Sequence, residues 1–257
     1  MLILSLDTTS EWGGAGIFRD VECLATTRHQ GPPDYAVSLF QDVDGLLEQA
    51  SISLGDIDLF AASNGPGSFT GIRVGLAAVQ GWAHALGKPS CGVSILEAMA
   101  EEARAATPYV LPILDARRGE FYAGLFERAA PGTPVAPAGE QPPTTGAAFR
   151  FSLLGEGALL KLERVAPFWE AGAALGAQSE SCTVVAREND VAASALQRWI
   201  TPSFEWKAIT PFLVPSIARV AFRAVQEGRP QEVTACYIRR TDAELHLNER
   251  ASGAPSA

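Results

Sequence analysis

The sequence predicts a duplicated α/β fold of two lobes, each a mixed sheet flanked by helices. Two observations carry that expectation: an internal repeat and the order of the elements that follow it. The stretches LILSLDTTSEWGGAGIF (2–18) and VLPILDARRGEFYAGLF (110–126) align without gaps at an offset of 108, with 5 of 17 positions identical. The identities are Leu6/Leu114, Asp7/Asp115, Ala15/Ala123, Gly16/Gly124 and Phe18/Phe126. Each stretch reads as a strand, a tight turn after an aspartate, and a second strand. The match falls near the middle of a 257-residue chain, so it reads as a duplicated unit.

The elements follow in order. MLILSLDTTS carries no basic leader, and Asp7 ends its apolar run after five residues, which makes it a poor export signal and a good first strand. VECLATT (21–27) reads as a third strand. Residues 34–50 read as a helix after Pro32-Pro33, with Asp34 as its N-cap. DLFAASN (58–64) reads as a buried strand, residues 71–86 as a helix and SILEAMAEEARAA (94–106) as another. In the second copy, residues 128–148 are rich in Pro, Gly, Ala and Thr and read as a loop. Helices are expected at 188–200 and 214–227, a last strand at VTACYIRR (233–240), and a frayed tail at 250–257. The β-β-β-α-β-α order of the first copy and the repeated strand–Asp–turn–strand fit the actin-like, ribonuclease-H-like (ASKHA) architecture. The lobes divide at 1–109 and 110–257.

Composition narrows the function classes. An apolar content of 47% with 19% charged residues marks a folded chain, and no apolar run approaches the length of a membrane span. Cys23, Cys91, Cys182 and Cys236 lie far apart with no CxxC pair, so they read as free cytosolic thiols. The net charge of −9 sits almost wholly in residues 1–109, where 5 Lys+Arg face 13 Asp+Glu. A basic surface is what displaces counterions from nucleic-acid phosphates, so the first lobe is not expected to grip RNA by itself. An acidic half is a solvated surface or a means of steering a basic partner.

The stretch NGPGSFTGIRVGLAAVQGWAHALG (64–87) is the most informative. Gly65, Gly67 and Gly71 have GxGxxxG spacing, which is neither the dinucleotide fingerprint nor the Walker A loop. Glycines between a strand and a helix let the backbone approach something closely. With Thr70 as N-cap, the N–H groups beyond it face an anion or simply close a tight turn. The helix itself is apolar around most of its circumference. Ile72, Leu76, Val79, Ala83 and Leu86 run down one side, and Gly71, Gly75, Ala78, Trp82 and Ala85 down another. A helix lying on a sheet needs only one apolar face, so this one is expected to be covered on two sides. The preceding helix carries Ala36, Phe40, Val43, Leu47 and Ala50, widened by Leu39 and Leu46. Either the chain's own core or another subunit covers the second side.

With GPGSFTGIRVGLA (65–77), LSLDTTS (4–10), LDARRGEFYAGLF (114–126) and CYIRR (236–240), the chain resembles the TsaB (YeaZ) family. The motifs occur in family order and span nearly the whole sequence. The resemblance implies an actin-like fold and a non-catalytic partner subunit of TsaD in making N6-threonylcarbamoyladenosine at position 37 of tRNAs that read ANN codons. It further implies a TsaE-type ATPase in the same complex, tRNA contact only through that complex, no membrane contact, a homodimer when alone and a cytoplasmic location. No cofactor of its own is implied, with ATP or ADP and Mg at the complex interface. Such subunits dock through their first two helices, which here offer Tyr35, Leu39, Phe40 and Val43 on one, and Gly71, Gly75, Ala78, Val79 and Trp82 on the other. Tyr35 stands where the family usually has His.

No catalytic or metal centre stands out. His29, His84 and His246 are scattered, no HxxxH or HExxH occurs, and no GxSxG marks a hydrolase nucleophile. In the actin-like fold, the loops bearing Asp7 and Asp115 face each other across the interlobe cleft, where carboxylates help hold Mg–ATP. The runs here are DTTSEWGG and DARRGE, with Arg117 and Arg118 where a phosphate loop has small residues. The residues open to nucleotide or RNA are Asp7, Gly65, Gly67, Ser68, Asp115, Arg117 and Arg118. An exposed basic turn is the plain alternative for the two arginines; an actin-like enzyme with its own ATP turnover is the rival reading of the whole chain, and a metal-dependent peptidase, which the missing ligands disfavour, is the third.

Overall fold

In a computed structural model the described residues are 1–31, 34–128, 151–153, 158–161, 181–188, 190 and 204–238. The first half places β1 (Leu2–Asp7), β2 (Gly14–Arg19), β3 (Glu22–Thr26), α1 (Tyr35–Ala50), β4 (Leu59–Gly65), α2 (Phe69–Leu86), β5 (Ser90–Ser94) and α3 (Ile95–Ala103). The second half places β6 (Tyr109–Asp115), β7 (Glu120–Ala123), β8 (Phe126–Arg128), β9 (Phe151–Leu153), β10 (Ala158–Lys161), β11 (Cys182–Arg187), β12 (Phe204–Ile209) and α4 (Val214–Gln226).

The two sheets have one topology. The first runs β3-β2-β1-β4-β5 and the second β10-β7-β6-β11-β12, with β8 and β9 added beside β6. In each, the first three strands are antiparallel and the last two join in parallel. The fold is therefore the duplicated α/β, actin-like arrangement that the repeat announces. The ungapped alignment fails in one detail. Asp7 pairs with Gly14 across a six-residue turn, whereas Asp115 pairs with Phe121 across a five-residue turn. Beyond the turn the copies are out of register by one residue, so Ala15/Ala123, Gly16/Gly124 and Phe18/Phe126 are not structural equivalents.

Strand alternation sets the layers. On β1, Ile3 faces the layer formed by α3 and α4, while Leu4 and Leu6 face α1 and α2. The α3–α4 layer is shared: its core joins Ile3, Phe18 and Leu59 of the first sheet to Val110, Val185 and Ile209 of the second. Ion pairs fasten it, with Arg219 on Glu102 at 2.8 Å and Arg223 on Glu101 at 2.8 Å. The outer face of the second sheet buries Leu111, Ile113, Phe121 and Val184.

Several boundaries differ from the sequence reading. α2 begins at Phe69 and is capped by Ser68, whose Oγ accepts from Gly71 N at 3.2 Å, so Thr70 lies inside the first turn. Asp34 holds the N-cap position of α1 but makes no side-chain capping bond. α3 stops at Ala103, three residues early, because Arg104 turns left-handed at φ 45°. Residues 233–238 are not a strand: they cross the ends of β4 and β5, tied by Cys236 N to Asn64 O (2.8 Å) and Gln80 Nε2 to Val233 O (2.6 Å). The chain thus makes isolated bonds where a strand would form a ladder. Residues 239–240, the loop from 129 to 148, most of the helix expected at 188–200 and the tail at 250–257 lie outside the described residues.

Candidate functional site

Two surfaces concentrate the singled-out residues: the cleft between the sheets and the outer side of α1 and α2. The cleft holds about 900 Å³ and is lined by the β1–β2 turn, the start of α2, the β6–β7 turn and the end of β11. Of the residues read as nucleotide or RNA contacts, Gly67, Ser68, Asp115, Arg117 and Arg118 line it. Asp7 lies beneath, fully buried. Gly65 does not reach the cleft: at φ 110° it passes under the backbone of Cys236, where a Cβ would come within 2.7 Å of the carbonyl oxygen.

Gly67, before α2, and Gly71 and Gly75, in its first turns, serve the β1–β2 turn. A Cβ on Gly71 would lie 1.9 Å from Thr8 O, one on Gly75 2.4 Å from Thr8 Oγ1, and one on Gly67 2.6 Å from Thr9 O. Those spaces let Thr8 donate to Gly71 O at 2.7 Å and Ser68 N donate to Thr9 O at 2.7 Å. The turn is thereby seated against the helix. Asp7 Oδ1 accepts from Thr9 N (3.0 Å), Thr9 Oγ1 (2.6 Å) and Ser63 Oγ (3.0 Å), so that buried oxygen is fully satisfied. Asp7 Oδ2 has no hydrogen-bond partner and faces Arg187 Nη2 at 3.8 Å. Arg187 ends β11, is only 4% exposed, and donates from Nη1 to Ser10 Oγ at 3.1 Å. Burial lowers its pKa, and the charges of Asp7 and Asp190 oppose that shift.

Tyr35 belongs to this network. Its hydroxyl donates to Ser10 O at 2.9 Å, and its ring meets His29 edge-on at 5.6 Å, with His29 Nε2 2.6 Å from Asp42. Burial, followed by the Asp7 charge, raises its pKa well above the usual phenol range. The β6–β7 turn opposite is built differently. Asp115 Oδ1 accepts from Arg117 N at 2.7 Å, Asp115 N donates to Asp190 Oδ2 at 2.9 Å, and Arg117, Arg118 and Gly119 are all left-handed. Sequence reasoning missed Arg187, Asp190 and the Tyr35–Ser10 contact. The one signal for Arg187 was a charge closing the apolar run CTVVAR.

The helix surface corrects the expected docking set. Tyr35, Leu39, Val43 and Val79 are buried in the chain's own core, and Gly71 and Gly75 are covered by Thr8, so none of these presents a side to a partner. Ala78 is almost fully buried too. What remains open is a different stripe. Phe40 is 52% exposed and Val37 64%. Trp82 is half-buried, meeting Phe40 edge-on at 5.7 Å and Phe60 at 6.1 Å. Ala77, Gly81 and Ala85 are exposed along the same outer side of α2. The helix is covered from two sides as expected, but its second cover is the β1–β2 turn, and the open apolar surface is turned from the glycines toward Gly81.

Residues 34–158 match the family model TsaD, tRNA N6-adenosine threonylcarbamoyltransferase. The chain is 32% identical to the tRNA threonylcarbamoyladenosine biosynthesis protein TsaB of Bacillus subtilis over 127 residues, 49% of this chain and 56% of that one. It is 35% identical to TsaB of Escherichia coli over 130 residues, 50% and 56% of the two chains. It thus spans about half the length of the curated relatives it matches. A crystal structure from Pseudomonas aeruginosa, described as similar to the peptidase YeaZ, superposes with a TM-score of 0.67 at 25% identity, over 93% of this chain and 99% of that one. YeaZ of the same organism gives 0.67 at 22% identity, over 92% and 99%. Over about half of its length the chain is thus similar to TsaB proteins, and over most of it to the fold of YeaZ structures. No helix of the described residues is long and apolar enough to cross a membrane.

Proposed function

We propose that this chain is the non-catalytic accessory subunit of a complex that forms N6-threonylcarbamoyladenosine at position 37 of ANN-decoding tRNAs, where it binds and supports a TsaD-type catalytic subunit. The observation that carries the reading is the likeness to TsaB proteins of two bacteria, combined with an open apolar surface on α1 and α2. Phe40 and Trp82 form an aromatic anchor of the kind that dominates interfaces, and Ala77, Gly81 and Ala85 beside it allow a partner helix to come close. A TsaE-type ATPase and tRNA join through the catalytic subunit, and the acidic first lobe suits steering of a basic partner better than direct contact with RNA. In the absence of its partner the same surface pairs two copies of this chain. The assembly works in the cytoplasm.

Actin-like turnover of Mg–ATP in the cleft is the rival reading, and the residues present do not fit that group. The carboxylate that would face the metal already faces Arg187, and the second turn offers Arg117 and Arg118 in place of small residues. Any nucleotide of the complex belongs at the junction with the catalytic subunit. The test is a tRNA threonylcarbamoylation assay with the TsaD- and TsaE-type proteins, run with and without this chain. Modification that requires it supports the reading. Equal modification without it, or ATP turnover by the isolated chain that disappears in Asp7→Ala, overturns it.

A further inference from the structure

We propose that Arg187 is the resident cation of the cleft: it ties the two lobes together and takes the charge-balancing place that a divalent metal ion would otherwise fill beside Asp7. Asp7 and Ser10 come from the first sheet and its turn, while Arg187 ends β11 of the second and Asp190 follows it, its N–H on Arg187 O at 3.0 Å. One guanidinium therefore spans the lobes, donating to Ser10 Oγ at 3.1 Å and facing Asp7 Oδ2 at 3.8 Å. Asp7 is wholly buried with one oxygen unpartnered, and a buried carboxylate needs a positive charge or a proton near it. An arginine stays charged in proteins, so the charge it supplies is permanent and requires no ion from solution. The same Ser10 accepts Tyr35 from the start of α1, so the tie extends from the second lobe to the helix that bears Phe40. Among the described residues, no three His, Cys, Asp or Glu side chains are grouped to hold a metal with Arg187 in place.

Removing the guanidinium leaves the Asp7 carboxylate that faced it and, close enough for its charge to act on Arg187, that of Asp190, whose Oδ2 accepts from Asp115 N. Carboxylate pairs with water are what hard divalent ions take. The experiment is a Mn²⁺ titration of the full chain followed by electron paramagnetic resonance, on wild type, Asp7→Asn, Arg187→Met and the Arg187→Met/Asp7→Asn double variant. Wild type and Asp7→Asn should bind Mn²⁺ equally poorly. Arg187→Met should gain one site with a Kd of about 1 mM or below, the weak end for carboxylate sites, and the double variant should lose it. Arg187→Met will be less stable, so its melting is followed as well: Mn²⁺ should raise its melting temperature, and the double variant should recover part of the loss without metal. The proposal is overturned by an Asp7-dependent Mn²⁺ site in wild type. It is overturned equally by an Arg187→Met protein that gains no site, or by one that stays unfolded with Mn²⁺ present.

Discussion

The two hairpin turns of the duplicated fold have the same place in their sheets and opposite characters. The β1–β2 turn is six residues long, with Thr8 and Thr9 buried and seated against Gly67 and, in α2, Gly71 and Gly75. The β6–β7 turn is five residues long, with Arg117 and Arg118 exposed and left-handed, and among the described residues no helix glycine is seated against it. Both follow an aspartate. One copy has been turned into a piece of packing that fixes α2, and through Tyr35 also α1. The other remains an open charged rim. A duplicated scaffold thus lets one turn become structural while its counterpart stays free to change.

The largest expected effect comes from filling the glycine spaces. Gly75→Leu would drive a side chain into Thr8, where even a Cβ meets Oγ1 at 2.4 Å, and overpacking of this kind costs about 3 kcal/mol or more when backbone must move. Thermal or urea unfolding should show a large loss or no folded protein. Gly81→Leu is the control: nothing lies within 4 Å of its Cβ, and leucine is a better helix former by roughly 1 kcal/mol. Equal stability of the two variants would break the claim that the turn, rather than a partner, covers the glycine side.

Next comes the open surface. Phe40→Ala should weaken binding to a TsaD-type partner by about 2 kcal/mol, some thirtyfold in Kd, as for a buried aromatic anchor. Because Phe40 is half exposed in the free chain, its melting should change far less. Gly81→Leu should also lose the partner while keeping its circular dichroism. Isothermal titration with both variants decides this, and normal binding by both would move the interface off α1 and α2.

How much of this was legible in the sequence depends on range. The sheets, the paired aspartates and the fold could be read because Leu6-Asp7 and Leu114-Asp115 repeat a local pattern, and period-2 and period-3.6 patterns are local. Which side of α2 is open could not be read, since the glycines are explained by Thr8, some sixty residues earlier in the chain and brought there only by the fold. Arg187 was illegible for the same reason: its partners are Asp7 and Ser10 across the whole molecule. The missing residue in the second turn was hidden because an ungapped match looks complete until strand pairing sets the register.

Tyr35→Phe sharpens the comparison through pH. Removing the hydroxyl loses the bond to Ser10 O and costs about 1 kcal/mol at neutral pH. Tyr35 has a folded pKa raised above its unfolded value, mainly by burial and then by Asp7, so its neutral form is the one that stabilises. That contribution is present in full below the unfolded value near 10 and is lost as pH rises from there toward the folded one. Wild type should therefore lose stability between about pH 10 and 11 more steeply than Tyr35→Phe. Parallel curves from urea melts across this range would mean that the phenol is not held neutral by the first turn.

The smallest effect has the opposite sign and belongs to the second turn. Arg117 is held at φ 64° and Arg118 at φ 57°, a region that costs a side chain of this kind about 1 kcal/mol. Arg117 is exposed, and glycine at that position would adopt the same backbone angle without the clash of a Cβ. Part of that gain is returned through the greater freedom of glycine in the unfolded chain. Arg117→Gly should therefore raise stability by about 0.5 kcal/mol, a shift of one or two degrees in melting temperature for a chain of this size. The matching change in the first turn, Thr9→Gly, should lower it, because Thr9 donates twice to Asp7 Oδ1 from its backbone and hydroxyl, and glycine keeps only the backbone bond. If Arg117→Gly instead destabilises the isolated chain, the arginine is part of the cleft's own structure, and the second turn is built into the packing just as the first is. If it stabilises the chain but weakens tRNA modification by the reconstituted complex, the strain is retained for contact across the cleft rim.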